Sequence, residues 1–461
     1  MRTVLFLTLI LLVASPAAAR EAAPARDTGV LGIRSDQLEP GYWIGRLAHP
    51  DRIVLDRKAI AAQNARLYSV DQSMHDLSRP PAALPREQVR GWIEKLAPSF
   101  DRPLFDERGQ PLDLARLAES TRANLRLDAV AESVAPRFGL VVRRADLRAV
   151  PDRLRVFRSA DDHDIDRWQE SALFPGTPVA IVHESGDGNW WFVVSPNYAA
   201  WVEKQYVAEG AREAVLGYGR DRPYLVVTGA NVRTNHTPEE PRVSSLQLDM
   251  GLRLPLLDWP PREAVNGQDP YAAYVVELPV RDDDGKLRFS PALVPRGADV
   301  ATGYLPLTQA NLLRQGFKFL GERYGWGNGY GTRDCSSFVS EVYRSVGVEL
   351  PRNTSDQAVS PALNRIALGE DDDRAKRLAL VKATQPGDLI YIPGHVMMVI
   401  GHEGDRTWVI HDTSGASWLG ANGERLRAKL NGVSVTPLEP MLAGGTDTYV
   451  DRITNIQRIR P

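Results

Sequence analysis

Asp334-Cys335-Ser336-Ser337-Phe338-Val339 contains the only cysteine in a chain of 461 residues. The run continues to Val346 with Phe338, Val339, Val342 and Val346 on one helical stripe, so a helix is predicted to begin at the thiol. A cysteine at a helix N-terminus lies at the positive end of the macrodipole, which favours the thiolate. Free cysteine is otherwise most often a small buried hydrophobe, so the surroundings decide between filler and nucleophile.

Three histidines follow the thiol: His395, His402 and His411. His395 comes after the turn Pro393-Gly394 and opens the apolar run Val396-Met397-Met398-Val399-Ile400. His411 closes Trp408-Val409-Ile410. Two neighbouring antiparallel strands would place both rings on one face, beside the helix of Cys335. A nucleophile, a base and a group orienting the base is the logic of covalent catalysis. His402 sits in Gly401-His402-Glu403-Gly404-Asp405, which reads as a solvent turn. His49, His75, His163 and His183 are scattered in other segments. No pair has metal-ligand spacing, and neither a metal nor another cofactor is expected.

Outward from this centre, the last part of the chain from residue 306 puts helices first and strands after, an α+β pattern. Gln309 to Leu320 is amphipathic, and Asp388–Ile392, Val396–Ile400 and Trp408–His411 read as strands. Glu370-Asp371-Asp372-Asp373 reads as a solvated connection. Upstream, short apolar runs alternate with tight polar turns: Gly176–His183, Trp190–Val194 and Ala199–Val202, then Tyr224–Thr228, Leu252–Leu257 and Tyr274–Leu278. Such spacing predicts two consecutive small β-barrels. Residues 41–135 carry helical periodicity, in Arg57–Leu67, Pro85–Leu96 (with Pro85 in the first turn) and Leu112–Leu125. Residues 20–40 lack periodicity and read as a loose arm.

The chain begins Met1-Arg2-Thr3, followed by an apolar run to Ala14 and Ser15-Pro16-Ala17-Ala18-Ala19. This reads as a secretory signal peptide cleaved after Ala19. No cysteine is present there for lipidation. The expectation is a periplasmic or secreted protein with no stable membrane anchor after cleavage. The net charge of −2 and the lack of a basic tract argue against nucleic acid as a partner. A lone thiol in an exported chain has no second cysteine to trap it in an intramolecular disulfide.

Several runs together resemble the NlpC-type cell-wall cysteine peptidases. They are Tyr324-Gly325-Trp326-Gly327, Asp334-Cys335-Ser336-Ser337-Phe338, Leu350-Pro351-Arg352-Asn353-Thr354, Gln385-Pro386-Gly387-Asp388-Leu389-Ile390, Gly394-His395-Val396, Ile400-Gly401 and Ile410-His411. The resemblance covers about 150 C-terminal residues. It implies a papain-like endopeptidase acting on peptidoglycan stem peptides or muropeptides, between γ-D-glutamate and a diamino acid. Cys335 then resembles the nucleophile, His395 the general base, His411 the orienting group, and Tyr324 a tyrosine that assists the oxyanion. Thr354 stands where relatives have serine after Pro-Arg-Asp, and the acid of that run is Asn353 here.

Gly176-Thr177-Pro178-Val179, Asn189-Trp190-Trp191 and Tyr198-Ala199-Ala200-Trp201-Val202 resemble a bacterial SH3-like module of a multidomain branch. That branch joins a helical segment, two SH3-like modules and the peptidase. The implied layout is signal peptide 1–19, helical segment 20–135, module one 136–215, module two 216–305 and peptidase 306–461. In that branch Tyr198, Asp334 and Ser336 would bind the free amine of an N-terminal L-alanine. A buried ammonium requires such an anion and acceptors. Competing readings are a non-enzymatic wall-binding protein with a degenerate peptidase fold, and an amidase or acyltransferase on another amide.

Overall fold

The computed structural model describes residues 25–79 and 82–460, so the expected signal peptide lies outside the described residues. Beyond a short helical turn at Pro40–Ile44, the helices α1 (Arg57–Val70), α2 (Arg86–Leu96) and α3 (Leu114–Leu125) precede the β modules. Asp56 caps α1 and Asp113 caps α3 by accepting from backbone N–H groups of the first turn. Pro85 stands just before α2 rather than inside it, where its fixed φ leads the chain in.

Module one holds β1 (Arg137–Val141), β2 (Ala145–Arg148), β3 (Gln169–Leu173), β4 (Pro178–Glu184), β5 (Trp190–Val194), β6 (Ala199–Glu203) and β7 (Val207–Gly210). They form one antiparallel sheet in the order β7-β1-β4-β5-β6-β2-β3. Val179, Ile181, Trp191 and Val193 pack in one core, and the alternate residues Ala180, Val182, Trp190, Phe192 and Val194 pack in another with Val89, Ile93 and Leu125. Both faces are covered, which is why these strands read as continuous apolar runs rather than alternating ones.

Module two holds β8 (Tyr224–Val227), β9 (Asn231–Arg233), β10 (Gln247–Asp249), β11 (Arg253–Pro255), β12 (Ala273–Arg281), β13 (Leu287–Pro295) and β14 (Val300–Thr302). Its ladders are β11-β8-β14 and the pairs β9-β10 and β12-β13, around a core that includes Leu225, Leu248, Leu254, Val276 and Val294. The sequence predicts small barrels. Among the described residues neither module closes its hydrogen-bonded ladder, and the end strands β7 and β3 of module one do not pair.

The C-terminal part holds α4 (Gln309–Phe317), α5 (Cys335–Ser345), α6 (Thr354–Val359), β15 (Asn364–Ala367), β16 (Leu389–Ile392), β17 (His395–Glu403), β18 (Arg406–Thr413), β19 (Gly432–Pro437) and β20 (Asn455–Arg458). The sheet order is β15-β20-β16-β17-β18-β19, all antiparallel. Phe338, Val339 and Val342 of α5 share a core with Val396, Met398, Ile410 and Val435. The helix thus lies on the sheet with its first residue at the end of β17.

The arm expected to be loose is docked along its second half. Arg34 and Gln37 bind the Glu403 carboxylate; just beyond the arm, Tyr42 binds the same carboxylate and Trp43 is buried against Trp408. A Cβ at Gly401 would come within 2.8 Å of the Trp43 ring, so this contact requires glycine there. Arg, Gln, Tyr and Trp spaced irregularly carry no helical period, so the docking left no periodic signal.

Candidate active site

Asp334 is the N-cap of α5 and accepts from the Ser337 N–H at 3.0 Å, which makes Cys335 the first helical residue. The thiol is buried, with Thr354 Oγ1 at 3.5 Å. The backbone N–H of Val396, the residue after His395, lies near enough to the sulfur to favour its charged form. The helix terminus alone favours thiolate. Burial and the adjacent Asp334 carboxylate outweigh it and push the thiol up to about 12. The expected thiolate is therefore corrected to a resting neutral thiol, because an apolar site disfavours the charged form.

His395 and His411 come together on adjacent strands, with His395 Nε2 and His411 Nδ1 2.7 Å apart. His411 Nε2 lies 3.0 Å from Thr436 Oγ1 on β19. Burial lowers His395 to about 4, and burial with the neighbouring ring lowers His411 well below the usual range. Both rings are neutral at pH 7, and the bonds allow a tautomer compatible with base catalysis. In the tautomer that leaves His395 Nδ1 bare to take a proton, Nε2–H donates to His411 Nδ1. His411 then carries its proton on Nε2 and donates to Thr436. His402 is engaged at both nitrogens, with Thr384 O at 2.8 Å and Thr407 Oγ1 at 3.2 Å, and takes no part.

Tyr324 is half-buried, and its backbone N–H donates to Asn431 O at 3.1 Å. Burial and the nearby Cys335, Asp334 and Asp412 raise its hydroxyl, so it stays a neutral donor. No hydrogen bond to that hydroxyl occurs among the described residues.

Tyr198, Asp334 and Ser336 form a second cluster, assembled across module one and the peptidase. Tyr198 donates its hydroxyl to Glu170 Oε2 on β3. Asp334 does not stand as a bare anion. Arg352 donates Nη2–H to Asp334 Oδ2 at 2.8 Å and Nη1–H to Oδ1 at 3.3 Å. Ser336 Oγ donates to Asp334 Oδ1 at 3.1 Å and accepts from Arg352 Nη1 at 2.9 Å. Arg352 also donates to Ser171 Oγ at 2.6 Å and Asn328 Oδ1 at 3.2 Å. Its guanidinium holds Asp334 below the usual carboxylate range despite burial. Burial raises Glu170, with the Tyr198 hydrogen bond opposing. The cluster thus carries two carboxylates and one guanidinium.

Glu170, Arg352, Asn328 and Thr436 were not singled out from the sequence. Arg352 stands within a quoted motif, and its partner Asp334 could have been inferred only from the fold. Asp412 was also missed. It is fully buried beside His411 on β18, with neither carboxylate oxygen hydrogen-bonded, and burial raises it well above the normal range. A carboxyl in the run Val409-Ile410-His411-Asp412 was the available signal. Thr354, expected to bind substrate, lies against the thiol itself.

A cavity of about 330 Å³ lies behind Arg352, lined by Ser171, Asn328, Ser337, Glu341 and Arg344, and touches neither Cys335 nor His395. Among the described residues no group of three His, Cys, Asp or Glu side chains is placed to hold a metal ion, and no helix is long and apolar enough to cross a membrane.

A papain-like sheet carrying Cys335 at a helix start and two hydrogen-bonded histidines defines a hydrolase of the peptidase class. Residues 321–435 match the NlpC/P60 family and residues 155–203 the SH3 domain of the SH3b1 type. The chain thus joins an NlpC/P60 domain to an SH3b domain. It is similar to a gamma-D-glutamyl-L-lysine dipeptidyl-peptidase of Bacillus cereus, at 26% identity over 308 residues, covering 56% of this chain and 79% of that protein. In fold it is similar to an NlpC/P60 endopeptidase from Photobacterium damselae subsp. piscicida. That match has a TM-score of 0.71 at 17% identity and covers 90% of this chain and 96% of the other.

Proposed function

We propose that this chain is an exported, periplasmic or secreted cysteine endopeptidase. It hydrolyses the γ-D-glutamyl–diamino acid bond of stem peptides that carry a free N-terminal L-alanine. The observation that carries this reading is the hydrogen-bonded chain from His395 Nε2 through His411 to Thr436, with the buried Cys335 thiol beside Val396, the residue after His395. The reading also draws on the printed specificity of the Bacillus cereus relative. Module two, with its own core, is read as a second SH3-like module.

Cys335 Sγ attacks the γ-carbonyl carbon of D-glutamate as its proton passes to His395 Nδ1. Tyr324 donates to the developing oxyanion. Collapse breaks the C–N bond, and His395 returns the proton to the leaving α-amine. Water then attacks the γ-glutamyl thioester, losing its proton to His395, and the sulfur leaves and is reprotonated. Because the resting pair is neutral, proton transfer accompanies attack rather than preceding it.

The amine cradle follows from the charge count. Arg352 neutralises Asp334, so the carboxylate left for an ammonium is Glu170, with Tyr198 and Ser336 as further partners. Glu170 is raised while the cradle is empty and is returned to its charged form by a bound ammonium. Mass spectrometry of defined muropeptides tests the reading. Release of L-Ala-γ-D-Glu from free-amine peptides is expected, with N-acetylated and glycan-linked forms cleaved far more slowly. Equal cleavage of both forms would sink the amine site, and no cleavage of either would sink the reaction.

A further inference from the structure

We infer that module two is a working part of the peptidase, through Asp249, which together with Arg144 of module one acts as a positioning residue for the loop Gly325–Arg333. This loop leads directly into Asp334 and Cys335. Its backbone is unusual: Gly327, Asn328, Tyr330 and Gly331 all have φ between 58° and 76°. Two of these are not glycine, and such left-handed residues persist only where the surroundings impose them.

The surroundings here come from outside the peptidase. Gln169 of β3 donates to Gly327 O at 2.9 Å. Arg144, between β1 and β2, donates Nη2–H to Asn328 O at 2.8 Å and Thr332 O at 2.7 Å. Gln247 of β10 donates to Gly331 O at 3.1 Å. Four carbonyls of one loop are thus satisfied by side chains of the two β modules.

Asp249 joins these donors. Fully buried at the end of β10, its Oδ1 accepts from Arg144 Nη1 at 2.5 Å, from Arg333 Nη2 at 2.7 Å and from Gln247 Nε2 at 2.9 Å. Arg333, also fully buried, is held on its other sides by Glu341 Oε2 at 2.9 Å and by both oxygens of Glu322 at 2.9 and 3.0 Å. Its own carbonyl accepts from the Gly325 N–H at 2.7 Å, which closes the loop. A guanidinium forked between one carboxylate and two carbonyls fixes direction as well as distance, which an ammonium does not.

The loop delivers two groups to the site. Gly327 N–H donates to Asp334 Oδ2 at 3.1 Å, and Asn328 Oδ1 accepts from Arg352 Nη2 at 3.2 Å. Both aim the Asp334–Arg352 pair, which lies beside Glu170. Displacing the loop therefore loosens the cradle for the substrate amine before it disturbs the histidines, which stand on the sheet. This inference rests on the proposed amine-binding reading.

The test uses the full chain with Arg144→Lys, which keeps the charge but loses the fork, and Asp249→Asn. Three readouts are taken: kinetics on free and N-acetylated γ-glutamyl peptides, thermal midpoint, and amide exchange by mass spectrometry. In Arg144→Lys, kcat/KM on the free-amine peptide is expected to fall about 10- to 100-fold, mainly through KM. The preference over the acetylated peptide should shrink by a similar factor, with faster exchange confined to residues 325–335. Asp249→Asn is expected to act in the same direction. Unchanged preference in Arg144→Lys overturns the inference. So does faster exchange spread across the C-terminal sheet, which marks a structural role only. If the wild-type chain cleaves no stem peptide, the proposed function fails by itself. Exchange at 325–335 then decides this inference, and unchanged loop exchange in both variants overturns it.

Discussion

The proposed reacting chain and the proposed amine cradle are built in opposite ways. Cys335, His395, His411 and Thr436 all come from the C-terminal domain, and their resting state is uncharged. The cradle takes Glu170 and Tyr198 from module one and Asp334, Ser336 and Arg352 from the peptidase, and it is full of charge. The first is protected by burial, which keeps every member neutral until a substrate carbonyl draws the sulfur. The second is buried too, but its charges are kept by pairing, because a buried carboxylate without a partner is costly. Chemistry can therefore reside in one domain while selection of the substrate depends on two.

Removing the nucleophile breaks the comparison at its strongest point. Cys335→Ala is expected to lower turnover of L-Ala-γ-D-Glu-diaminopimelate by about 10⁴-fold or more, since members of a covalent relay act as a unit. The fold should persist, because alanine fills the first turn of α5 without polar loss. Product formation at the wild-type rate would place the chemistry elsewhere.

The cradle comes next. Glu170→Gln keeps the shape but removes the uncompensated anion, and should cost about 100-fold in kcat/KM on free-amine peptides, the scale of a charged hydrogen bond left unmade. The loss should fall on KM and spare N-acetylated peptides, whose slow cleavage never used the carboxylate. Should both peptide classes lose equally, Glu170 serves the fold rather than recognition.

This division also explains what was legible in the sequence. The reacting chain was readable because each member sits in a local signal: Cys335 at a helix start, His395 after Pro393-Gly394, His411 at a strand end. Thr436 escaped because an isolated threonine in Val433-Ser434-Val435-Thr436 looks like any strand residue, and only the β18–β19 register brings it to His411. The cradle was half readable. Tyr198 and Asp334 came from the resemblance, whereas the ion pair of Arg352 with Asp334 joins the start of α5 to a loop 18 residues on, a contact that no period records. The loose arm was misread for a related reason, since its anchors Arg34 and Gln37 bind Glu403 at the end of the distant β17.

The neutral resting pair makes a prediction for pH. His395 is lowered from 6.5 to about 4, so it remains an acceptor through the range in which an exposed histidine would charge. Protonation removes the base, so the acid limb of kcat/KM should lie well below pH 6, nearer 4 to 5. Linkage runs the same way for stability. Between pH 6.5 and about 4 the unfolded chain binds a proton that folded His395 refuses, so stability falls as pH drops through that window. An acid limb at 6.5 would mean that His395 is solvated during turnover, and the contrast with the charged cradle would disappear.

The smallest effect tests the far end of the relay. Thr436→Val keeps the volume and removes the acceptor for His411 Nε2–H, leaving that proton buried and unpaired at a cost of about 1–3 kcal/mol. His411 can escape by moving its proton to Nδ1. That nitrogen would then face His395 Nε2–H, and two donors cannot share a 2.7 Å contact. His395 must in turn shift its proton to Nδ1, where it no longer accepts from Cys335. A fraction of molecules is thus switched off by tautomer alone, and kcat should drop about 3- to 10-fold with KM unchanged, a loss of the scale of that unpaired proton. Thr436→Ser restores the hydroxyl and should restore kcat. If the valine variant retains full kcat, His411 does not need Thr436 to hold its tautomer, and the reacting chain ends at two histidines instead of three side chains beyond the thiol.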